Sequence, residues 1–191
     1  MKANLPPHDF DECKENAEAV AAESWMEKLY RHAFPGFESM SSIRCDGWAQ
    51  RGGIDRKINL LGARSVFVEE KFRFVNYGDM LLERWSNFEK RKPGWIQQRL
   101  LADFIAYVII PKREMYLIPY LDLRRAWFCH GRQWVKEFKT IEARNRGYRT
   151  ISVAVPFPVL FKALVTGMKL TWTESDERIP VVDVPQLRFD F

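Results

Sequence analysis

Residues 54–74 read IDRKINLLGARSVFVEEKFRF, and the fold follows from how this stretch is divided. Ile54 to Leu61 and Ser65 to Phe74 are rich in Val, Ile and Phe, which favour strands over helices. Gly62-Ala63-Arg64 between them is a short link of the hairpin kind. In a strand, residues two apart share a face. Phe67, Glu69, Lys71 and Arg73 therefore point one way, and Val66, Val68, Glu70, Phe72 and Phe74 the other. The second set is apolar apart from Glu70 and makes the better core face. Glu70 either sits near the solvated edge of that face or pairs with a base such as Arg56. A bulge in the strand would let it replace Glu69 on the outer face.

Upstream, Asp9 or Asp11 can cap a helix running to about Ala33, with Ala17, Val20, Ala21, Trp25, Leu29 and His32 or Ala33 as its buried stripe. Pro35-Gly36 stops it, and Ser41 to Trp48 is expected as a first strand. Downstream, Tyr77-Gly78-Asp79 is a turn, Met80 to Trp85 a strand and Asn87 to Gly94 a polar loop. Trp95 to Ile110 starts as a helix and ends as a strand (YVII). Pro111-Lys-Arg then turns the chain into Glu114 to Tyr120, a strand paired with Ala106 to Ile110. Leu121 to Phe128 has helical spacing. Glu142 to Arg149 is a basic loop, and Thr150 to Val155 a strand. Pro156 to Lys169 becomes a helix with Leu160, Phe161, Leu164 and Met168 inward. Residues 1–9 and 172–191 are expected as irregular ends. Hairpins outnumber βαβ units, so residues 1–191 are expected to form a single α/β (α+β mixed) domain, a central mixed sheet flanked by helices.

Of the 191 residues, 47 % are hydrophobic and 14 % aromatic, enough for one substantial core. The formal charge of +5 is compatible with a polyanionic partner. Cys13, Cys45 and Cys129 are scattered and odd in number, which suits a reducing compartment rather than a disulfide framework. No secretory signal opens the chain and no apolar run approaches the ~20 residues a bilayer requires. The expectation is a soluble, cytoplasmic protein with no membrane partner. Walker loops, G-x-G-x-x-G, G-x-S-x-G and H-E-x-x-H are all absent, which removes the usual NTPases, dinucleotide enzymes, α/β-hydrolases and zinc proteases.

One group of residues carries a chemical proposal. Asp55 follows Gln50-Arg-Gly-Gly-Ile on one strand, and Glu69-Glu70-Lys71 lies on the next. Asp55 and Glu69 can offer hard oxygens to Mg²⁺ or Mn²⁺, ions that accept carboxylates and keep several waters. Lys71, projecting beside Glu69, can orient a water or offset charge on a phosphate. Solvent-facing charges on a two-stranded ribbon are the plain alternative. Asp79 and Glu83 are either an outer metal shell or an ordinary turn and cap pair.

This pattern resembles the active-site hairpin of the PD-(D/E)XK nuclease superfamily, in which an aspartate on one strand precedes (D/E)-x-K on the next. Asp55, Glu69 and Lys71 occupy the matching positions, and Gln50, Gly53 and Arg56 complete a Gln-x-x-Gly-x-Asp-Arg approach. Ile54 stands where the motif's proline would be. The resemblance implies a restriction-endonuclease-like αβββαβ core and Mg²⁺-dependent cleavage of DNA, with RNA as a further substrate. It also implies an acidic residue from the preceding helix in the metal shell, with Glu23 or Glu27 nearest. Arg73 extends the same face, and Gln50, Arg56 and Arg73 are expected as nucleic-acid contacts beside the motif.

Arg84, Lys90, Arg91 and Lys92 are interleaved with Trp85, Phe88 and Trp95, which suits a nucleic-acid backbone and unstacked bases. Arg144, Arg146, Arg149 and Tyr148 repeat the theme. Each segment could equally be a solvated charged loop, and a Trp after Pro-Gly is often a core anchor. The rival to a nuclease is a non-catalytic nucleic-acid or protein-binding module on the same fold. A further one is an aromatic protein–protein surface, a homodimer included.

Overall fold

The computed structural model describes Ala19, Ala21 and residues 24–173. Within them, helix α1 (Ser24–Ala33) buries Met26, Leu29, Tyr30 and Ala33. Trp25 is half-buried and stacks on Trp172 at 4.1 Å, whereas His32 is exposed. Ala17, Val20 and the start of the expected helix lie outside the described residues. The first strand, β1 (Phe37–Ser42), comes earlier than its sequence suggests. FESMSS is mostly exposed along an edge and carries no alternating apolar signal. Part of the expected strand, with Gln50, is instead a short helix, α2 (Gly47–Gly52), closed by Gly53 in the left-handed region at φ +63°. An added Cβ on Gly53 would stand 2.6 Å from Leu100 Cδ2, so both backbone and space require glycine there.

Strands β2 (Arg56–Leu60) and β3 (Arg64–Arg73) form the expected hairpin, with Arg56 opposite Val68 and Leu60 opposite Arg64. Gly62 and Ala63 turn it at φ +80° and +58°. The chain then leaves this sheet. Strand β4 (Asp79–Asn87) and the two-residue β5 (Lys92–Pro93) belong to a second sheet. Trp95 to Gln98 is a turn, not the helical start its spacing suggests. Strand β6 (Phe104–Ile109) returns to lie parallel to β3, and β7 (Glu114–Pro119) pairs antiparallel with β6 around Pro111-Lys-Arg. Helix α3 (Tyr120–Glu137) runs well past Phe128. Strands β8 (Thr140–Asn145) and β9 (Tyr148–Pro156) make a hairpin in place of the expected basic loop. Helix α4 (Phe157–Ala163) buries Leu160, but Met168 opens β10 (Met168–Thr171) and is exposed.

The result is a mixed α/β architecture: a six-stranded sheet in the order β1-β2-β3-β6-β7-β10 and a four-stranded antiparallel sheet in the order β5-β4-β9-β8. No α-helix stands between β3 and its parallel neighbour β6, where an αβββαβ order has one; the crossover runs through β4 instead. Strand parity sorts two cores. Ile58, Val68, Ala106, Val108, Met115 and Leu117 face α1. Ile105, Tyr107, Ile109, Tyr116 and Ile118 face the other way, onto β4, β9, α3 and α4. Both faces of β6 and β7 are thus covered. Among the described residues no helix is long and apolar enough to cross a membrane.

Candidate functional site

Asp55 precedes β2, and backbone hydrogen bonds lock it on both sides. Its N–H donates to the Val68 carbonyl at 2.9 Å, and its carbonyl accepts from the Ile43 N–H at 3.0 Å. The Asp55 carboxylate is thereby fixed against β3, where Oδ2 accepts the Glu70 N–H at 2.7 Å. Its Oδ1 lies 3.3 Å from Nη1 of Arg44, a residue of the β1–α2 link.

Register decides the roles of the two glutamates. Glu69 lies opposite Ile105 and Lys71 opposite Tyr107, the residues facing the second sheet, whereas Glu70 lies opposite Ala106, which faces α1. On the first face, Lys71 Nζ donates to Glu69 Oε1. The Lys71 side chain keeps 30 % exposure and that of Glu69 12 %. On the other face the Glu70 carboxylate is fully buried. Tyr30 donates to it at 2.8 Å, Arg56 Nε approaches at 3.2 Å, and Arg44 Nη2 also donates. Arg44 thus bridges Asp55 and Glu70. The expectation that Glu70 could replace Glu69 as a metal ligand is corrected: its carboxylate is committed to these three donors, on the face turned away from Glu69.

Arg56 is corrected with it. Expected as a nucleic-acid contact, it is buried, pairs with Glu70 and donates to the Ala21 carbonyl. Trp95 is also buried; its N–H donates to Glu83 Oε1 at 3.2 Å, and its ring belongs to the inter-sheet core. Arg73 is mostly covered, 3.9 Å from Asp79 and 5.5 Å from the Tyr77 ring. Gln50 is exposed on α2. Lys90, Arg91 and Lys92 are exposed at the β4–β5 turn. The Arg149 guanidinium, held by Glu89 and Glu142, lies 4.7 Å over Phe88 beside them. The two basic segments therefore meet at one end of the four-stranded sheet. Glu27 is paired with Arg31 on the surface of α1; Glu23 lies outside the described residues.

Two further groups stand at the site. Arg44 is brought in only by the fold, and its Nε is buried without a hydrogen-bond partner. Glu83, weighed from the sequence with Asp79 as an outer metal shell or a turn and cap pair, lies on β4: burial pushes its carboxyl up, Lys71 and the Trp95 backbone N–H pull it down, and Glu69 pushes it up again, leaving it raised. Gly94 makes this approach possible, since a Cβ there would lie 2.1 Å from the Glu83 carbonyl oxygen.

The same forces act on Asp55. Burial and then the Glu69 charge raise its carboxyl to about 6, against Arg44, the Glu70 N–H and Lys71. For Lys71, burial opposes the charge, but Glu69 and Asp55 outweigh it and the ammonium is held above its usual value. The folded protein therefore binds a proton at Asp55 more tightly than the unfolded chain, whose value is near 3.8. Stability contributed by that proton is present at low pH and lost as pH rises through about 6. At ~1.4 kcal/mol per pH unit this is of order 2–3 kcal/mol. Unfolding free energies in EDTA are expected to fall between pH 4 and pH 7, and Asp55→Asn to flatten that fall; an equally steep profile in the variant would remove Asp55 as the cause.

Among the described residues, no three His, Cys, Asp or Glu side chains converge as a metal-holding group. Asp55 and Glu69 are a pair near enough for the Glu69 charge to raise the Asp55 carboxyl, a repulsion that a cation would relieve. Such a pair fits an ion of the Mg²⁺ type, which is commonly held by one or two carboxylates and retains waters. No protein-family model, curated protein or solved structure matches the chain.

Proposed function

We propose that the protein is a metal-dependent nuclease that hydrolyses phosphodiester bonds in DNA at Asp55, Glu69 and Lys71. The observation that carries this reading is geometric: the Asp55 carboxylate is fixed against β3 by the Glu70 N–H at 2.7 Å, and on that strand Glu69 is paired with the Lys71 ammonium; the raised Asp55 carboxyl agrees with it. Two half-buried carboxylates repelling one another next to a cation is a costly arrangement of the kind concentrated at functional sites.

Asp55 and Glu69 would hold Mg²⁺ or Mn²⁺. When bound, such an ion supplies Lewis acidity and eases deprotonation of water. Lys71 does the rest from the protein side. Held above its ordinary pKa, it remains a cation at neutral pH, so it donates hydrogen bonds rather than accepting a proton. That suits offsetting negative charge on a phosphate oxygen or orienting a water. Arg44 holds the Asp55 carboxylate from behind, and the Glu70 N–H fixes its Oδ2, so the free approach is from the Glu69 side.

One observation favours a non-catalytic binding module instead: Glu69 is already neutralised by Lys71 and Asp55 by Arg44. The two readings separate in one experiment. Supercoiled, linear and single-stranded DNA, and RNA, are incubated with the protein in Mg²⁺, Mn²⁺ or EDTA, and its melting temperature is followed in parallel. A nuclease cleaves only with metal, and Mg²⁺ raises its Tm at pH 7.5 but not at pH 5, where Asp55 is protonated. Salt-sensitive binding indifferent to EDTA, with no cleavage under any metal, identifies the module.

A further inference from the structure

The outer face of α3 is unusually bare. Leu121, Arg124, Phe128, Arg132 and Lys136 recur at spacings of three and four, so they form one stripe along the helix. Leu123, Ala126 and Trp134 form the opposite, buried stripe. Leu121 is 75 % and Phe128 90 % exposed. Two large apolar side chains standing in solvent on one stripe, two turns apart with Arg124 between them, mark this face as a candidate for a partner. The stripe forms one wall of an open groove of about 1110 Å³, whose other wall is Arg84, Ile96 and Gln97.

Every charged residue lining this groove is a cation: Arg84, Arg124, Arg125, Arg132 and Lys136. Arg125 is held by Asp122. Arg124, Arg132 and Lys136 have no ion pair among the described residues. A groove with cations along its length and an exposed aromatic ring between them is complementary to a polyanion that carries stackable rings. A duplex keeps its bases stacked on one another and gives Phe128 nothing to cover it; an unpaired strand does.

The groove neighbours the candidate site along the chain. Arg84 and Glu83 are consecutive on β4, and Ile96 follows Trp95, whose backbone N–H donates to Glu83. Tyr120, the buried first residue of α3, ties the helix to this segment through its hydroxyl, 2.9 Å from the Trp95 carbonyl and 2.6 Å from that of Gln98.

We propose that the α3 groove binds single-stranded nucleic acid, Arg84, Arg124, Arg132 and Lys136 taking the phosphates and Phe128 stacking on a base, and leads it to Asp55, Glu69 and Lys71. The delivery step rests on the nuclease reading; the binding step does not. Substrate specificity then lies in the groove: unpaired strands, flaps and frayed ends are cut in preference to intact duplex.

The test is fluorescence anisotropy in EDTA with a labelled oligo-dT, a duplex of the same length and poly-L-glutamate. Wild type, Phe128→Ala and the double variant Arg132→Glu/Lys136→Glu are compared. All three positions of change are exposed, so the variants are expected to fold, and their Tm values check it. Oligo-dT is expected to bind more tightly than duplex. Phe128→Ala should weaken oligo-dT binding on the order of tenfold, the size of one base–aromatic stack, and leave duplex binding unchanged. The double variant should lower the salt slope by about 0.7 for each phosphate that is no longer neutralised.

Unchanged oligo-dT affinity in Phe128→Ala and the double variant overturns the proposal. So does poly-L-glutamate binding as tightly with the same sensitivities, which would mark an acidic-polypeptide site. Groove-dependent binding without metal-dependent cleavage would sink the nuclease reading alone. Cleavage of single strands undiminished in both groove variants would sink the groove alone.

Discussion

Lys71→Ala is expected to lower metal-dependent DNA cleavage by roughly 10²–10³-fold, the usual loss when one preorganised charge-stabilising donor is removed. Metal binding should survive, because the variant removes the cation that competes for Glu69. Without Lys71, Asp55 and Glu69 repel one another more strongly, and the rise of Tm with Mg²⁺ is expected to equal or exceed that of the wild type. The two readouts together separate chemistry from binding. A variant that loses both would make Lys71 a structural partner of Glu69; one that keeps full cleavage would remove it from the reaction.

The second large effect concerns stability. Glu70→Gln leaves the buried Arg56 and half-buried Arg44 guanidinia without their shared carboxylate, and breaking one partner out of a buried ion pair costs ~3–5 kcal/mol. Tyr30 keeps a hydrogen-bond acceptor in the amide, so the loss is one of charge rather than of shape. Urea denaturation at pH 7.5 should show a midpoint well below that of wild type with the slope unchanged. Glu69→Gln is the control: Lys71 keeps 30 % exposure, so water solvates the orphaned ammonium and the cost is smaller. Equal costs in the two variants would contradict the division of labour between the two faces of β3.

That division is legible in the sequence. Alternation alone places Glu69 with Lys71 and Glu70 among Val66, Val68 and Phe72, and it leaves Glu70 either at a solvated edge or paired to a base, of which Arg56 is one. The β2–β3 hairpin and the β6–β7 pair around Pro111 are visible for the same reason: their periodicity and turn residues are local. What stays hidden depends on contacts between distant segments. Arg44 reaches Asp55 and Glu70 from a link with no pattern of its own. Glu83 is named from the sequence as a possible outer metal shell, but its route to the site is hidden: β4 leaves for a second sheet, a crossover that the helical spacing after Trp95 disguises. Arg56 and Trp95, whose chemistry suits nucleic acid, are consumed by the core. The α2 helix escapes notice although its signals are present, Asp46 ahead of it and Gly53 at its end, because one and a half turns give no stripe. Leu121 to Phe128 looks helical, but only the continuation to Glu137 aligns Arg132 and Lys136 with Phe128 as one face.

A crystal soaked in Mn²⁺ at pH 7.5 tests the central claim most directly. The account predicts an anomalous peak shared by Asp55 and Glu69, with Lys71 Nζ within hydrogen-bonding reach of a water beside it. A featureless map, with Asp55 still on Arg44 and Glu69 still on Lys71, would contradict it.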